Sequence, residues 1–244
     1  MLELTDVQKS FDGFMAVRDA RLSVEKGAVV AVIGPNGAGK TTLFNLITGQ
    51  LTPDRGAIRF KGESIAGLSA HAVCRRGISR SFQVVNIFHR MTVFENVQTA
   101  VLSRRRMGFR LFSPARSLAR EETMAILESV GLSDKAERVC GQLAHGDQKV
   151  LEMAIALGNR PELLILDEPT AGMSADETSV ALDLMHRLSE EMGLTILFCE
   201  HDMEMVFSIA HEIMVMQAGQ TIIQGDPATV RADERVQAAY LGGG

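Results

Sequence analysis

With 244 residues and a formal net charge of −5 at pH 7, the chain is long enough for one large α/β domain, or one domain carrying an insertion, and is no small disulfide-stapled scaffold. The acidic balance leaves no electrostatic footprint for general nucleic-acid binding. Three widely spaced cysteines, Cys74, Cys140 and Cys199, read as reduced structural thiols, residues 1–6 lack the basic and apolar regions of a signal peptide, and no apolar run approaches a bilayer span.

Two strands are expected first, at 2–7 and 16–24, with Gly13 and the pair Lys26-Gly27 as turns. The continuous apolar run Ala28-Val29-Val30-Ala31-Val32-Ile33 has the length of a strand buried on both faces. It leads into Gly34-Pro35-Asn36-Gly37-Ala38-Gly39-Lys40-Thr41-Thr42. Glycines at 34, 37 and 39 tolerate the positive φ angles that turn consecutive N–H groups inward as an anion-binding concavity. A helix then starts at Lys40, so its unpaired N–H groups and positive end face the same anion. Lys40 can reach the β- and γ-phosphates, and the Thr41 hydroxyl is placed to ligate Mg²⁺. This is a small-nucleotide site. Phe11 or Phe14 offers an aromatic face near it, although a loop Phe also serves as plain packing.

Beyond the loop, 56–62 reads as a strand closed by glycine, and 78–82 as a strand ending at Gln83. Thr92, with Glu95 three residues on, is the expected N-cap of a helix. Arg104, Arg105, Arg106 and Arg110 follow in a segment broken by Gly108 and Pro114. Such a cluster is either a solvated loop or a contact for lipid headgroups or an acidic partner. A second helix is expected over 118–130, stopped by Gly131, and a third from near Asp147 to 158, ahead of Pro161. Residues 88–158 thus form a mainly helical insertion between 1–87 and 159–244, which together make the nucleotide-binding core. After it, strands at 163–166, 195–199, 213–216 and 220–224 alternate with helices at 174–192 and 203–210, which implies a parallel sheet flanked by helices. Residues 242–244 read as a flexible end.

The strand at 163–166 runs into Asp167-Glu168-Pro169, two carboxylates at the sheet edge where ligands bind in open α/β folds. Asp167 can hold Mg²⁺ through water, and Glu168 can polarise the attacking water.

With these motifs in order, nearly the whole chain resembles the ATP-binding subunit of ATP-binding-cassette transporters. The resemblance implies a phosphate-loop NTPase α/β core with an antiparallel β subdomain and an inserted α-helical subdomain. It makes Phe11 the aromatic that stacks on adenine, Gly34 to Thr42 the Walker A loop, and Gln83 the residue that contacts Mg²⁺ and senses the γ-phosphate. Leu143-Ala144-His145-Gly146-Asp147-Gln148 matches the signature, Asp167 and Glu168 the Walker B pair, residues 171–174 the D-loop and His201 the switch histidine that bonds the γ-phosphate. Ala144 stands where the signature usually has serine, which removes a hydroxyl but leaves the backbone N–H groups around Gly146 to bind phosphate. Ser174 stands where the D-loop usually has aspartate.

ATP and Mg²⁺ are the implied cofactors. The implied assembly is a head-to-tail pair with a second, identical or sister, ATP-binding subunit, sandwiching two ATP molecules and driving transmembrane permease subunits from the cytoplasmic face of the inner or plasma membrane. A solute-binding protein takes part indirectly if the system is an importer, and no nucleic acid is expected. The signature, the Arg-rich lengthening after Gln83, the Glu200-His201-Asp202-Met203 switch and the Ala239-Tyr240-Leu241-Gly242 ending resemble the branched-chain amino-acid importer subunits, with urea or amide importers and lipopolysaccharide exporters as close alternatives. A soluble cassette that remodels DNA or ribosomes and a phosphate-loop kinase are the readings from other classes. The first lacks flanking heptads and a basic surface, and the second sits poorly with a signature and a switch histidine.

Overall fold

A computed structural model describes residues 1–81, 87–105 and 117–241, with side chains up to residue 238. Gln83, Phe82, Arg106, Gly108, Arg110, Pro114 and Gly242 lie outside the described residues, as do the side chains of 239–241. The chain opens with the hairpin β1 (Leu2–Phe11) and β2 (Phe14–Val24), followed by β3 (Val29–Ile33) and α1 (Lys40–Ile47). Then come β4 (Arg55–Phe60), β5 (Glu63–Ser64), α2 (Ala70–Arg75) and β6 (Ile78–Arg80). Three helices follow, α3 (Val93–Arg104), α4 (Arg120–Ser129) and α5 (His145–Leu157). The remainder is β7 (Leu163–Asp167), α6 (Ala175–Glu190), β8 (Thr195–Cys199), α7 (Met203–Ile209), β9 (Glu212–Gln217), β10 (Gln220–Gly225), α8 (Pro227–Ala232) and α9 (Glu234–Leu241).

Strands β2-β1-β4-β5 form an antiparallel sheet, and β10-β9-β3-β8-β7-β6 a second one. Within the second sheet every neighbouring pair from β9 to β6 is parallel, whereas β10 returns antiparallel to β9. The expected parallel sheet is present, with its last strand antiparallel. Ala218 and Gly219 both take positive φ, of 48° and 81°, which is the geometry of a two-residue hairpin turn.

Because β3 is buried on both faces, it divides the apolar interior in two. Val29, Ala31 and Ile33 pack in one cluster with Phe94 of α3, Leu127 of α4 and Leu151 of α5. Val30 and Val32 pack in the other with Val7, Phe44 of α1 and Ile58. The helices α3 to α5 thus bury their apolar stripes in the same cluster as one face of the six-stranded sheet. The start of α3 follows its capping box, with Thr92 Oγ1 accepting from Glu95 N at 3.1 Å and Glu95 Oε2 accepting from Thr92 N at 2.9 Å.

The arginine cluster resolves in part. Arg104 and Arg105 end α3 and pair with Glu122 of α4, Arg105 at 2.6 Å, and Arg160 joins the same carboxylate at 2.8 Å. These two arginines therefore tie helices together and are not part of a free solvated loop. Short helices α2, α8 and α9 add to what the sequence pattern suggested.

Candidate functional site

The loop between β3 and α1 is held by a main-chain bond from the β9–β10 turn, which is itself tied to β2. Gly219 N donates to Ala38 O at 3.0 Å, and Arg18 N donates to Gly219 O at 2.8 Å. Gly39 carries φ of 101°, and a Cβ there would lie 2.6 Å from Ala16 O, so neither the angle nor the space admits a side chain. No side chain caps α1 and no acid lies in its first turn, which leaves its positive end available to an anion. Lys40 Nζ donates to Gly34 O at 2.6 Å and to Pro35 O at 3.3 Å. Burial lowers its pKa from the ordinary lysine value, while Cys199, Glu168 and Asp167 act in the opposite sense.

A cavity of about 440 Å³ opens over this loop, lined by Phe11, Phe14, Ala16, Asn36 to Thr42, Glu168 and His201. It gathers side chains from β1, β2, α1 and the ends of β7 and β8. Phe11 is 41% exposed and Phe14 69%, and Lys9 Nζ stands 5.6 Å from the Phe11 ring centroid. Lys9 and Ser10 are anchored in turn to Asp54, whose carboxylate is held at a pKa of about 2 by the Lys9 and Ser10 hydrogen bonds.

At the cavity wall, His201 Nε2 and Glu168 Oε1 are 2.9 Å apart. Glu168 takes φ of 49°, a conformation uncommon outside glycine, and its N–H donates to Cys199 O at 3.1 Å. Asp167 lies deeper, 1% exposed. Arg80 Nη2 reaches its Oδ2 at 2.5 Å, and Cys199 Sγ donates to Oδ1 at 2.9 Å. Burial pushes the Cys199 thiol far above its usual value, so it remains a protonated donor. Arg80 is itself placed by Asn45 Oδ1 at 2.5 Å and by the Phe44 ring, 5.8 Å from its guanidinium.

The signature residues lie away from this cavity. The helix α5 begins at His145, two residues before the expected start, with Ala144 as an N-cap that makes no side-chain bond. His145 Nε2 is 3.2 Å from Ala171 O. Gly146 N donates to Glu177 Oε1 at 3.3 Å, and Lys135 Nζ holds both Asp147 oxygens at 2.7 and 2.8 Å. One chain therefore brings Phe11, the loop, Glu168 and His201 together but leaves Ala144, His145, Gly146 and Asp147 apart from them.

A family model described as ABC transporter matches residues 17–171, well over half the chain. The chain belongs to the ATP-binding cassette family of ABC transporters. A second model, described as branched-chain amino acid ATP-binding cassette transporter, matches residues 220–244 of the cassette. The cassette is 41% identical to the high-affinity branched-chain amino acid transport ATP-binding protein BraF of Pseudomonas aeruginosa, over 99% of this chain and 98% of that one. It is 36% identical, with the same coverage, to the corresponding protein LivG of Escherichia coli strain K12. Its fold matches a solved ADP conformation of an ATP-binding cassette of an ABC transporter with a TM-score of 0.87 and 30% identity, covering 99% of this chain and 98% of that one. The cassette is accordingly an ATPase with an α/β phosphate-loop core.

Several supporting residues escape a reading of the sequence. Arg80 carries no local signal, because its partner Asp167 is 87 residues away. Glu200, read only as part of the switch region, is 6% exposed and accepts from Thr170 N at 2.9 Å and Thr170 Oγ1 at 2.6 Å. His201 N also donates to it, at 3.2 Å. It ties the turn after Glu168 to the turn bearing His201. Ser174 caps α6 through a capping box with Glu177, a pairing its serine-to-glutamate spacing of three could have revealed.

Proposed function

We propose that the cassette is the ATP-hydrolysing subunit of an importer of branched-chain amino acids, and that its nucleotide is shared with a second ATP-binding subunit. The observation that carries the hydrolytic reading is the 440 Å³ cavity that collects Phe11, the loop, Glu168 and His201. Phe11 stacks on the base. The backbone of Gly34, Pro35, Asn36, Gly37, Ala38 and Gly39, with the N–H groups of Lys40, Thr41 and Thr42, binds the phosphates. Lys40 turns from the Gly34 carbonyl toward the β- and γ-phosphates. Glu168 polarises the attacking water, and His201, already bonded to Glu168, holds that carboxylate and the γ-phosphate in one arrangement. Gln83 is assigned contact with the metal and the γ-phosphate.

Mg²⁺ fits this set without a protein cage. Among the described residues no group of three or more His, Cys, Asp or Glu is placed to hold a metal, but Mg²⁺ beside nucleotide takes most of its ligands from phosphates and water. Thr41 lines the cavity, and Asp167, paired with Arg80, serves through water. When bound, the ion neutralises charge on the phosphates.

Ala144, His145, Gly146 and Asp147 of the second subunit, a copy of this chain or a sister, complete the site from the far side. Among the described residues no helix is long and apolar enough to cross a membrane, so transport needs permease subunits, with the cassette peripheral on the cytoplasmic face. A groove of about 480 Å³ between α2, the end of α3 and the turn after α5 is the docking place assigned to them. The cargo rests on the named relatives and on the match at residues 220–244.

The test is uptake of labelled leucine, isoleucine and valine by intact cells lacking the subunit. Uptake of all three should be lost, restored by the natural chain and not restored by Glu168→Gln. Undiminished uptake with a defect in urea uptake or lipid export would contradict the cargo and leave the ATPase assignment in place.

A further inference from the structure

The N-terminus of α5 is occupied from within the chain. Glu177, in the first turn of α6, uses Oε2 to accept from Ser174 N at 2.9 Å and from Ser174 Oγ at 3.0 Å. That oxygen alone completes the capping box of α6. The other oxygen, Oε1, accepts from Gly146 N at 3.3 Å. A Cβ on Gly146 would sit 2.6 Å from the same oxygen, so the carboxylate rests directly on the main chain there and a glycine is what lets it approach. Ser174 N, Ser174 Oγ and Gly146 N together hold the Glu177 carboxyl below the usual glutamate pKa, so it is ionised at neutral pH.

We propose that Glu177 is an internal competitor for the phosphate-binding backbone of the signature and thereby sets the affinity of ATP-driven pairing. The proposal rests on the reading above, in which the signature of one subunit meets the γ-phosphate held by another. The Gly146 N–H carries one proton, and both a carboxylate and a γ-phosphate seek it. A negative charge already seated at that helix end also repels the incoming phosphate. In the free subunit Glu177 satisfies the N–H group; in the pair it must yield or share it. The consequence reaches further than α5, because the same carboxylate fixes Ser174 and so the end of the 171–174 turn. That turn begins with Ala171 N donating to Glu168 O at 3.2 Å. A partner's phosphate that moves the Glu177 carboxylate off Gly146 therefore moves a side chain whose other oxygen holds a turn bonded to Glu168.

Glu177→Gln separates charge from capping, since glutamine still accepts from Ser174. In a Glu168→Gln background that prevents turnover, pairing is measured by sedimentation at saturating ATP and Mg²⁺. Adding Glu177→Gln should tighten the dimer by about two- to fivefold, and the gain should shrink at roughly 1 M salt, where surface charge is screened. Glu177→Ala should also tighten it while lowering Tm, because it loses the cap as well. A Glu168→Gln dimer whose affinity is unchanged or weakened by Glu177→Gln, with Tm preserved, would overturn the proposal alone. Failure of Glu168→Gln itself to pair with ATP would overturn a site shared between two copies of this chain, and this proposal with it.

Discussion

Helices α1, α4 and α5 begin without a side-chain cap, and of these α1 follows the phosphate loop and α5 the signature, whereas α2, α3, α6, α7 and α8 are capped by Ser69, Thr92, Ser174, Asp202 and Asp226. A helix start left without its usual acceptor is a donor surface for an anion from elsewhere. The two differ in what surrounds them. Around α1 the chain assembles a cavity with an aromatic wall, a lysine and the Glu168–His201 pair. Around α5 it supplies its own partners, with Ala171 on His145, Glu177 on Gly146 and Lys135 on Asp147. In the proposed function, one end receives a whole nucleotide and the other contributes a few donors to a nucleotide held on a different chain.

The strongest way to break the first end is at the water. Glu168→Gln should lower kcat by about 10²- to 10⁴-fold while ATP binding survives, measured by phosphate release and by nucleotide titration; turnover at the normal rate would place the base on another residue. Next comes the buried support. Arg80→Met leaves Asp167 as an uncompensated carboxylate and should cost about 3–5 kcal/mol of folding stability, read by denaturant unfolding. Stability within experimental error of the natural chain would mean that Asp167 is satisfied without its arginine. Lys40→Ala removes a cation from the phosphates, and ATP titration should show a loss of about 1.5–3 kcal/mol, or roughly 10- to 150-fold in Kd. The smallest effect belongs to the other end. Ala144→Ser restores a hydroxyl beside the start of α5, and ATP-dependent pairing should hold or strengthen by about 1 kcal/mol. A clear loss of pairing would count against the placement of the signature.

The first end was the more legible in sequence, for a physical reason. A buried strand, a glycine-spaced loop and a helix start are contiguous, so one window of residues 28–47 contains the whole phosphate-binding part. Glu168 could be inferred because it ends another buried strand, but its contact with His201 spans 33 residues and nothing local announces it; the resemblance gave His201 only a bond to the γ-phosphate. Arg80 and Glu200 act through partners in other segments and leave no local pattern. The start of α5 was set two residues late because Gly146 weakens helix propensity in the first turn. The strand at 220–224 was expected but its direction was not, although Ala218-Gly219 is a turn too short for any crossover and so requires an antiparallel return. Asp226-Pro227 is a local start signal for α8, an N-cap with a proline at the first position.

The shared site is tested most directly by joining its two halves. In a Cys74→Ser, Glu168→Gln background, Asn36→Cys and Ala144→Cys put one thiol on the phosphate loop and one on the signature, both at exposed positions. Chains carrying the two substitutions separately are mixed, oxidised and resolved by mass. An ATP-dependent disulfide between the two kinds of chain, absent with ADP, is the predicted result. ATP bound to every chain with no disulfide between them would contradict a nucleotide shared across two copies of this cassette.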